Sequence, residues 1–198
     1  HPFGIPVRVE GALSGARRRF YSYDADIFRS SVQASKSLGD IWRPLEPFDM
    51  LLRYQIEAIT QFDATKESDN AFYRIGSLTP TLTFDRRDSA INTHSGMFLS
   101  LSCEWAKPGL GSLKRDDLEI NYMKLISRNR FYIPMADDWT LAVSLSYGRQ
   151  ENLARQTRTL DDGSVRTVGQ IPSIKVFRLE GVDTVRGFSD SEINRLED

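Results

Sequence analysis

Apolar and polar residues alternate along most of this chain, in segments of about ten residues or more. Between residues 50 and 62, for example, most apolar side chains fall on even positions, while Arg53, Gln55 and Glu57 take odd ones. Successive side chains of a β-strand point to opposite faces of a sheet, so this pattern predicts strands with one apolar and one polar face. Strands of globular sheets usually have about five or six residues. The chain is therefore expected to form a sheet of unusually long strands.

The alternation marks seven segments, and no segment has a convincing helical period. It is regular in residues 7–14, 50–62, 97–106 and 141–148. It is less regular in residues 27–37, 72–84 and 118–133. Pro80 predicts an edge, a bulge or a local break in its segment, because proline cannot donate a hydrogen bond to a neighbouring strand. The pattern changes phase near Lys124, which predicts a bulge or a change of register there.

The connections between these segments differ in length. Residues 39–48, 64–70 and 150–171 are polar and loop-like, whereas the turn at residues 135–138 is short. Aromatic pairs such as Phe72 and Tyr73 stand at strand ends, where a membrane barrel carries its aromatic girdles. We predict an all-β fold, part of an antiparallel up-and-down transmembrane β-barrel. A large soluble β-barrel with aromatic corners is the alternative.

Composition narrows the possible partners and cofactors. The 26 basic and 27 acidic residues give a net charge of −1, which does not favour nucleic acid as a partner. No stretch approaches the roughly 20 apolar residues of a membrane-spanning helix, but a barrel is not detected by that criterion. His1 and His94 lack metal-ligand spacing, and we expect no metal or other cofactor. Cys103, the single cysteine, is expected to face lipid.

Charged residues at strand ends form the first candidate site. Asp85, Arg87 and Asp88 end the segment that contains Pro80. Paired carboxylates can perform acid–base chemistry, but no nucleophile accompanies them, so we expect these charges to order a turn. The basic run at residues 17–19 either contacts lipid headgroups or is solvated.

A loop near the C-terminus carries the second candidate site. It contains Val185, Arg186, Gly187 and Phe188, preceded by Gly181. One fixed cation followed by a flexible glycine is typical of a functional loop. The alternative is a solvated arginine without a specific partner.

Three motifs follow one another in order along the chain. One strand ends with residues 85–88, residues 94–96 (His-Ser-Gly) open the next, and Phe177, Gly181 and residues 185–188 come last. This succession, from about Leu51 onward, resembles the Omp85 superfamily of outer-membrane β-barrel proteins. The resemblance implies a barrel of about sixteen strands, in which the seven segments are the fifth to the eleventh. Residues 1–198 would then be a partial barrel domain, with POTRA domains and the remaining strands outside it.

The resemblance also implies a function in assembly or translocation, without catalysis. In the family, the arginine matching Arg186 folds into the barrel lumen and pairs with acidic residues on strands after the loop, and Gly181 has a backbone role. A client strand adds to an exposed strand edge of the barrel. The implied location is the bacterial outer membrane, with lipid, client β-barrel proteins and accessory lipoproteins as partners. A BamA-like insertase is favoured; a TamA-like factor, a two-partner-secretion translocator and a passive channel are the alternatives.

Overall fold

The computed structural model of the chain describes residues 7–19, 23–63, 71–115, 118–136, 139–155, 157–159, 165–169 and 171–177. Its strands are β1 (Arg8–Arg19), β2 (Asp24–Ser37), β3 (Phe48–Phe62), β4 (Phe72–Asp85), β5 (Gly96–Ala106), β6 (Lys114–Arg115), β7 (Leu118–Glu119), β8 (Tyr122–Ala136), β9 (Trp139–Asn152), β10 (Thr157–Thr159) and β11 (Val165–Thr167). Seven of them form one antiparallel sheet in the order β1-β2-β3-β4-β5-β8-β9. The predicted seven-stranded up-and-down sheet is therefore confirmed.

The short elements lie in the connections of the main sheet. Strand β6 pairs with β7 between β5 and β8, and β10 pairs with β11 after β9. Single 3-10 turns occur at Leu38–Asp40, Arg43–Leu45, Pro108–Leu110 and Ser173–Lys175. In the described part of the chain, no helix has the length and apolar character needed to span a membrane.

The pairing register separates the side chains into two faces. Residues directly opposite each other share a face, and one such row joins Gln33 to Arg53, whereas the neighbouring row joins Ala34 to Leu52. We call the face with Gln33, Arg53 and Glu57 the inner face and the opposite one the outer face. Large apolar side chains stay exposed on the outer face, among them Val9, Leu13, Phe28, Val32, Leu52, Leu82, Leu101, Trp139, Leu141 and Leu145. This is the two-faced sheet that the alternation predicts.

One end of the inner face is apolar and buried. The buried cluster, which we call the end cluster, contains Tyr23, Ala25, Ile27, Ile59, Tyr73, Ile75, Ala106, Leu118, Ile120 and Tyr122. Ile59 breaks the alternation in the sequence because it occupies a polar-face position, and in the structure it is only 1% exposed. This exception in the pattern therefore marks the place where the inner face carries a core.

Two irregularities were predicted from the sequence, and one of them is observed. Strand β4 pairs with β5 up to Leu78 and again from Thr81, so its pairing with β5 breaks at Pro80. The predicted change at Lys124 is wrong, because β8 pairs with both neighbours without a shift there. The phase change has another cause: Leu118 and Ile120 pack in the end cluster, Leu118 as part of β7, and β8 begins only at Tyr122.

The connection after β5 folds over the outer face of β4. Ser112 Oγ accepts a hydrogen bond from the Gly76 amide (3.1 Å) and donates one to the Gly76 carbonyl (2.9 Å). Tyr54 Oη, on the outer face of β3, donates to the Leu110 carbonyl (2.9 Å). The two Ser112 hydrogen bonds satisfy the backbone amide and carbonyl of Gly76, which lies beyond Ser77, where the pairing of β4 with β5 ends. The carbonyl of Leu110 lies where a side chain at position 76 would begin.

The close approach at Gly76 predicts that Gly76→Ala destabilises the protein. A Cβ at this position would lie 1.9 Å from the Leu110 carbonyl oxygen, so the backbone of the connection must move. We expect a loss of about 1–3 kcal/mol in the free energy of unfolding, measured by urea denaturation of the full-length protein in detergent. Gly15→Ala is the matched control, because a Cβ there meets no atom within 4 Å. Equal urea midpoints for the two variants would contradict the prediction.

Candidate functional site

The long connection after β9 returns to the inner face of the sheet. We call residues 171–177 the docked segment. Ile171 and Ile174 pack against the end cluster, and a 3-10 turn closed by a hydrogen bond from Lys175 N to Pro172 O (2.8 Å) connects them. Residues three apart in such a turn lie on the same side. Ile174 lies within this turn and Ile171 just before it, and both side chains pack toward the sheet.

Lys175 links the docked segment to two strands. Its Nζ lies 2.5 Å from Glu57 Oε2 on β3 and 3.3 Å from Glu104 Oε1 on β5. Glu57 is only 2% exposed and also accepts hydrogen bonds from Arg29 Nε (2.5 Å) and Gln55 Nε2 (2.8 Å). A buried carboxylate is tolerated only when cations and donors surround it. The docked segment supplies one of the two cations at Glu57.

A second group of contacts surrounds Glu104. Tyr122 Oη on β8 donates a hydrogen bond to Glu104 Oε1 (2.8 Å). The neighbouring Lys124 donates through Nζ to the backbone carbonyl of Lys175 (2.8 Å). We call Arg29, Glu57, Glu104, Tyr122, Lys124 and Lys175 the inner cluster. Its three cations and two carboxylates connect β2, β3, β5 and β8 with the docked segment.

Phe177 occupies a gap on the inner face of β9. A Cβ at Gly148 would lie 2.6 Å from Cζ of the Phe177 ring, so the ring takes the space of a side chain at this position. Lys124 Nζ lies 4.1 Å from the centroid of the same ring, a geometry that favours a cation–π contact. The loop is thus fitted to the sheet by shape as well as by charge.

The chemistry of the inner cluster is that of an ion-paired anchor. Among the described residues, no group of three or more His, Cys, Asp or Glu side chains is arranged to hold a metal ion. The polar contacts of Glu57 and Glu104 described above all come from side chains of this chain. The arrangement can therefore hold a loop in place on the inner face.

The charged residues predicted at a strand end form an ordered turn. Arg87 donates to both carboxylate oxygens of Asp85 (2.9 and 2.7 Å), and its guanidinium carbon lies 4.9 Å from the centroid of the Phe98 ring. Asp88 Oδ1 accepts from the amides of Ser89 (2.8 Å) and His94 (3.1 Å). The turn lies at the end of β4 opposite the end cluster.

The second predicted site lies outside the described residues. Gly181 and residues 185–188 therefore stay predictions, and so does the luminal role of Arg186.

Sequence reasoning missed Lys175, whose partners Glu57 and Glu104 stand at polar positions of two predicted strands. A single lysine among apolar residues of the docked segment was the available signal. Of the basic run, Arg17 pairs with Asp26 (2.7 Å).

Comparison with known proteins identifies the family. The model of the Omp85 superfamily domain matches residues 6–196. The chain belongs to the Omp85 superfamily. Among solved structures, this Omp85 chain is similar to BamA from Haemophilus ducreyi lacking POTRA domains 1–3, with a TM-score of 0.66 and 13% identity. The match covers 92% of this chain and 35% of that one, so the chain spans about a third of the BamA structure. No curated protein matches the sequence significantly.

The family and the fold together show which larger structure the sheet belongs to. The similarity to the BamA structure shows the fold, and the seven-stranded antiparallel sheet is part of an outer-membrane β-barrel of the Omp85 type. Omp85 proteins form a family of membrane-protein assembly and transport. In such a barrel the outer face is directed to lipid and the inner face to the lumen.

The burial of Glu57 predicts a large effect of Glu57→Gln. Removing the carboxylate charge leaves Arg29 and Lys175 facing a neutral amide, and we expect the free energy of unfolding to fall by about 3 kcal/mol. Glu10→Gln is the matched control: Glu10 is also an inner-face carboxylate paired with an arginine, Arg8, but its side chain is 43% exposed. That exposed pair should contribute less than about 1 kcal/mol. Urea denaturation of both full-length variants measures the difference, and equal losses would refute the assigned role of Glu57.

The turn at Asp88 predicts a pH-dependent local stability. Burial alone would raise the pKa of Asp88, but the backbone amides of Ser95, His94 and Ser89 outweigh it and hold the pKa below its ordinary value of 3.8. A lowered pKa means that the ionised form stabilises the turn and that this contribution is lost as the pH falls through that pKa. We expect Asp88→Asn to speed amide hydrogen exchange in residues 89–94 at pH 7. Below the pKa of Asp88, wild type and variant should exchange alike.

Proposed function

We propose that this Omp85 chain is the barrel portion of an assembly factor of the BamA type, which inserts and folds β-barrel proteins in the bacterial outer membrane. The docked segment is the observation that supports it most. A passive channel needs an open lumen, whereas here a loop occupies the inner face and is held there by ion pairs. An inner face that holds a loop in place is expected of a barrel that assembles other proteins, and is not needed in an open channel.

In this proposal, residues 1–198 are part of a larger barrel domain that follows N-terminal POTRA domains. Strands β1 and β9 lie at the two edges of the described sheet, and further strands would pair with them to close the barrel. Closure satisfies the edge hydrogen bonds that lipid cannot satisfy. The exposed apolar side chains of the outer face would then contact outer-membrane lipid.

The proposed mechanism involves no covalent chemistry. A client strand pairs with an exposed backbone edge of the barrel, because free amide and carbonyl groups there template a new strand. The inner cluster and Arg186 would keep the loop inside the lumen while this edge opens. Accessory lipoproteins are proposed as further partners.

Reconstitution of the full-length protein tests the proposal. Proteoliposomes containing it should accelerate the folding of a urea-denatured outer-membrane β-barrel client, followed by the mobility shift of the folded client in unheated gels. Empty liposomes and liposomes with an unrelated porin are the controls. Ion conductance without client folding would favour a passive channel instead. Export of a soluble secreted client without client insertion would favour a two-partner-secretion translocator, and selective folding of a few clients would favour a TamA-like factor.

The loop motif provides a mutational prediction. Arg186→Ala is expected to lower the free energy of unfolding of the full-length protein by about 3 kcal/mol, because an acidic partner in the lumen loses its cation. It should also reduce growth in cells that depend on the variant. Arg155→Ala is the control, since Arg155 is an exposed arginine of the same connection. Wild-type growth and an unchanged gel shift for Arg186→Ala would count against the role of the motif.

A further inference from the structure

We propose that Lys175 is a second anchor of the long loop, a positioning residue that holds the docked segment against β3 and β5 independently of the Arg186 motif. Its position is a property of the barrel itself. Its consequences for the binding of Arg186 and for client folding rest on the function proposed above.

The geometry of Lys175 defines one position for the loop. Its two carboxylate partners stand on strands separated by β4, and a single ammonium group with three donors bridges them. The Glu57 and Glu104 side chains are 2% and 19% exposed, and that of Lys175 is 14% exposed. Charges screened so little by water attract strongly. Sliding the loop along the sheet would break both contacts at once.

While the segment is docked, the other cations of the inner cluster are engaged with partners of their own. Arg29 pairs with Glu57 from β2. Lys124 uses its ammonium group for the carbonyl of Lys175 and the ring of Phe177. Without the docked segment, Glu104 would lose the ion pair with Lys175 and retain the hydrogen bond from Tyr122. With the segment still in place, a carboxylate of such low exposure is destabilised when the lysine charge is removed, as in Lys175→Gln.

Side chains of the sheet also bind groups of the loop, so the anchor consists of contacts from both partners. The loop lysine binds carboxylates of the sheet, while the sheet lysine Lys124 binds the backbone and an aromatic ring of the loop. Gly148 adds a steric condition, because a side chain there would displace Phe177. Charge and shape therefore select the same placement of residues 171–177.

The anchor shortens the part of the loop that must be ordered when Arg186 binds. Arg186 is 34 residues beyond Asn152 but only 11 beyond Lys175. It is 17 residues beyond Gly169, whose carbonyl accepts from Asn152 Nδ2 (3.0 Å). Since the probability of loop closure falls with the 3/2 power of length, anchoring at Lys175 raises the effective concentration of Arg186 at its site by about two- to fivefold. The contacts of Lys175 therefore favour the binding of Arg186.

Hydrogen–deuterium exchange on the full-length protein in detergent tests the proposal. We expect Lys175→Gln and Lys175→Glu to speed amide exchange in residues 171–177 by about tenfold or more, whereas Lys175→Arg preserves protection. Lys114→Glu is the matched control, because Lys114 is an exposed lysine on β6. Unchanged protection in Lys175→Glu, or loss of protection in Lys175→Arg equal to that in Lys175→Gln, would overturn the anchor.

Two further variants distinguish a loop with two independent anchors from a loop with one. Arg186→Ala should leave residues 171–177 protected, and a release as complete as that in Lys175→Glu would show one anchor instead of two. If Lys175→Glu does not fold, Glu104→Gln tests the same ion pair from the strand side and should loosen residues 171–177. Exchange does not depend on activity. Faster exchange with normal client folding would therefore support the anchor and overturn only its proposed role in assembly.

Discussion

Backbone pairing from β1 to β9 determines every other arrangement in this structure. The register runs through five strand pairs without a shift, and the one register shift lies in the β8–β9 pair, between Pro134 and Ala136. Because side chains alternate strictly along a strand, a slip of one residue would exchange the two faces. The charges of the inner cluster meet only in this register. Arg29 and Glu57, for example, are direct cross-strand partners.

The inner face combines two kinds of interaction that support each other. Apolar packing of Ile171 and Ile174 on the end cluster brings the loop to the sheet. Glu57 is only 2% exposed, which increases both the cost of an unpaired charge and the strength of its ion pairs. The apolar contacts place Ile171 and Ile174 on the end cluster, and the ion pairs of Lys175 are compatible with one position of the segment on β3 and β5.

Strand number and pairing order could be predicted because they depend on local patterns. Alternation over residues 50–62 identifies β3, which begins at Phe48 in the structure, and the missing amide of Pro80 explains a break in pairing wherever β4 lies. The contact between Lys175 and Glu57 could not be predicted in the same way. These residues are 118 positions apart, and a single lysine among apolar residues does not identify its partner. The contacts of Leu110 and Ser112 with Gly76 could not be predicted either, because these residues are also distant in sequence.

The amino-acid sequence alone was enough to predict the long two-faced strands, the antiparallel order and the motif succession of the Omp85 superfamily. Each of these follows from residue type and spacing along the chain, which set local backbone preference and solvent preference. Three-dimensional contacts were needed to show that Leu118 and Ile120 join the end cluster and that Lys175 links two strands. Such contacts depend on the path by which a connection folds back onto the sheet. That path is selected by the total burial and charge balance of residues distant in sequence, not by the residues of the connection alone.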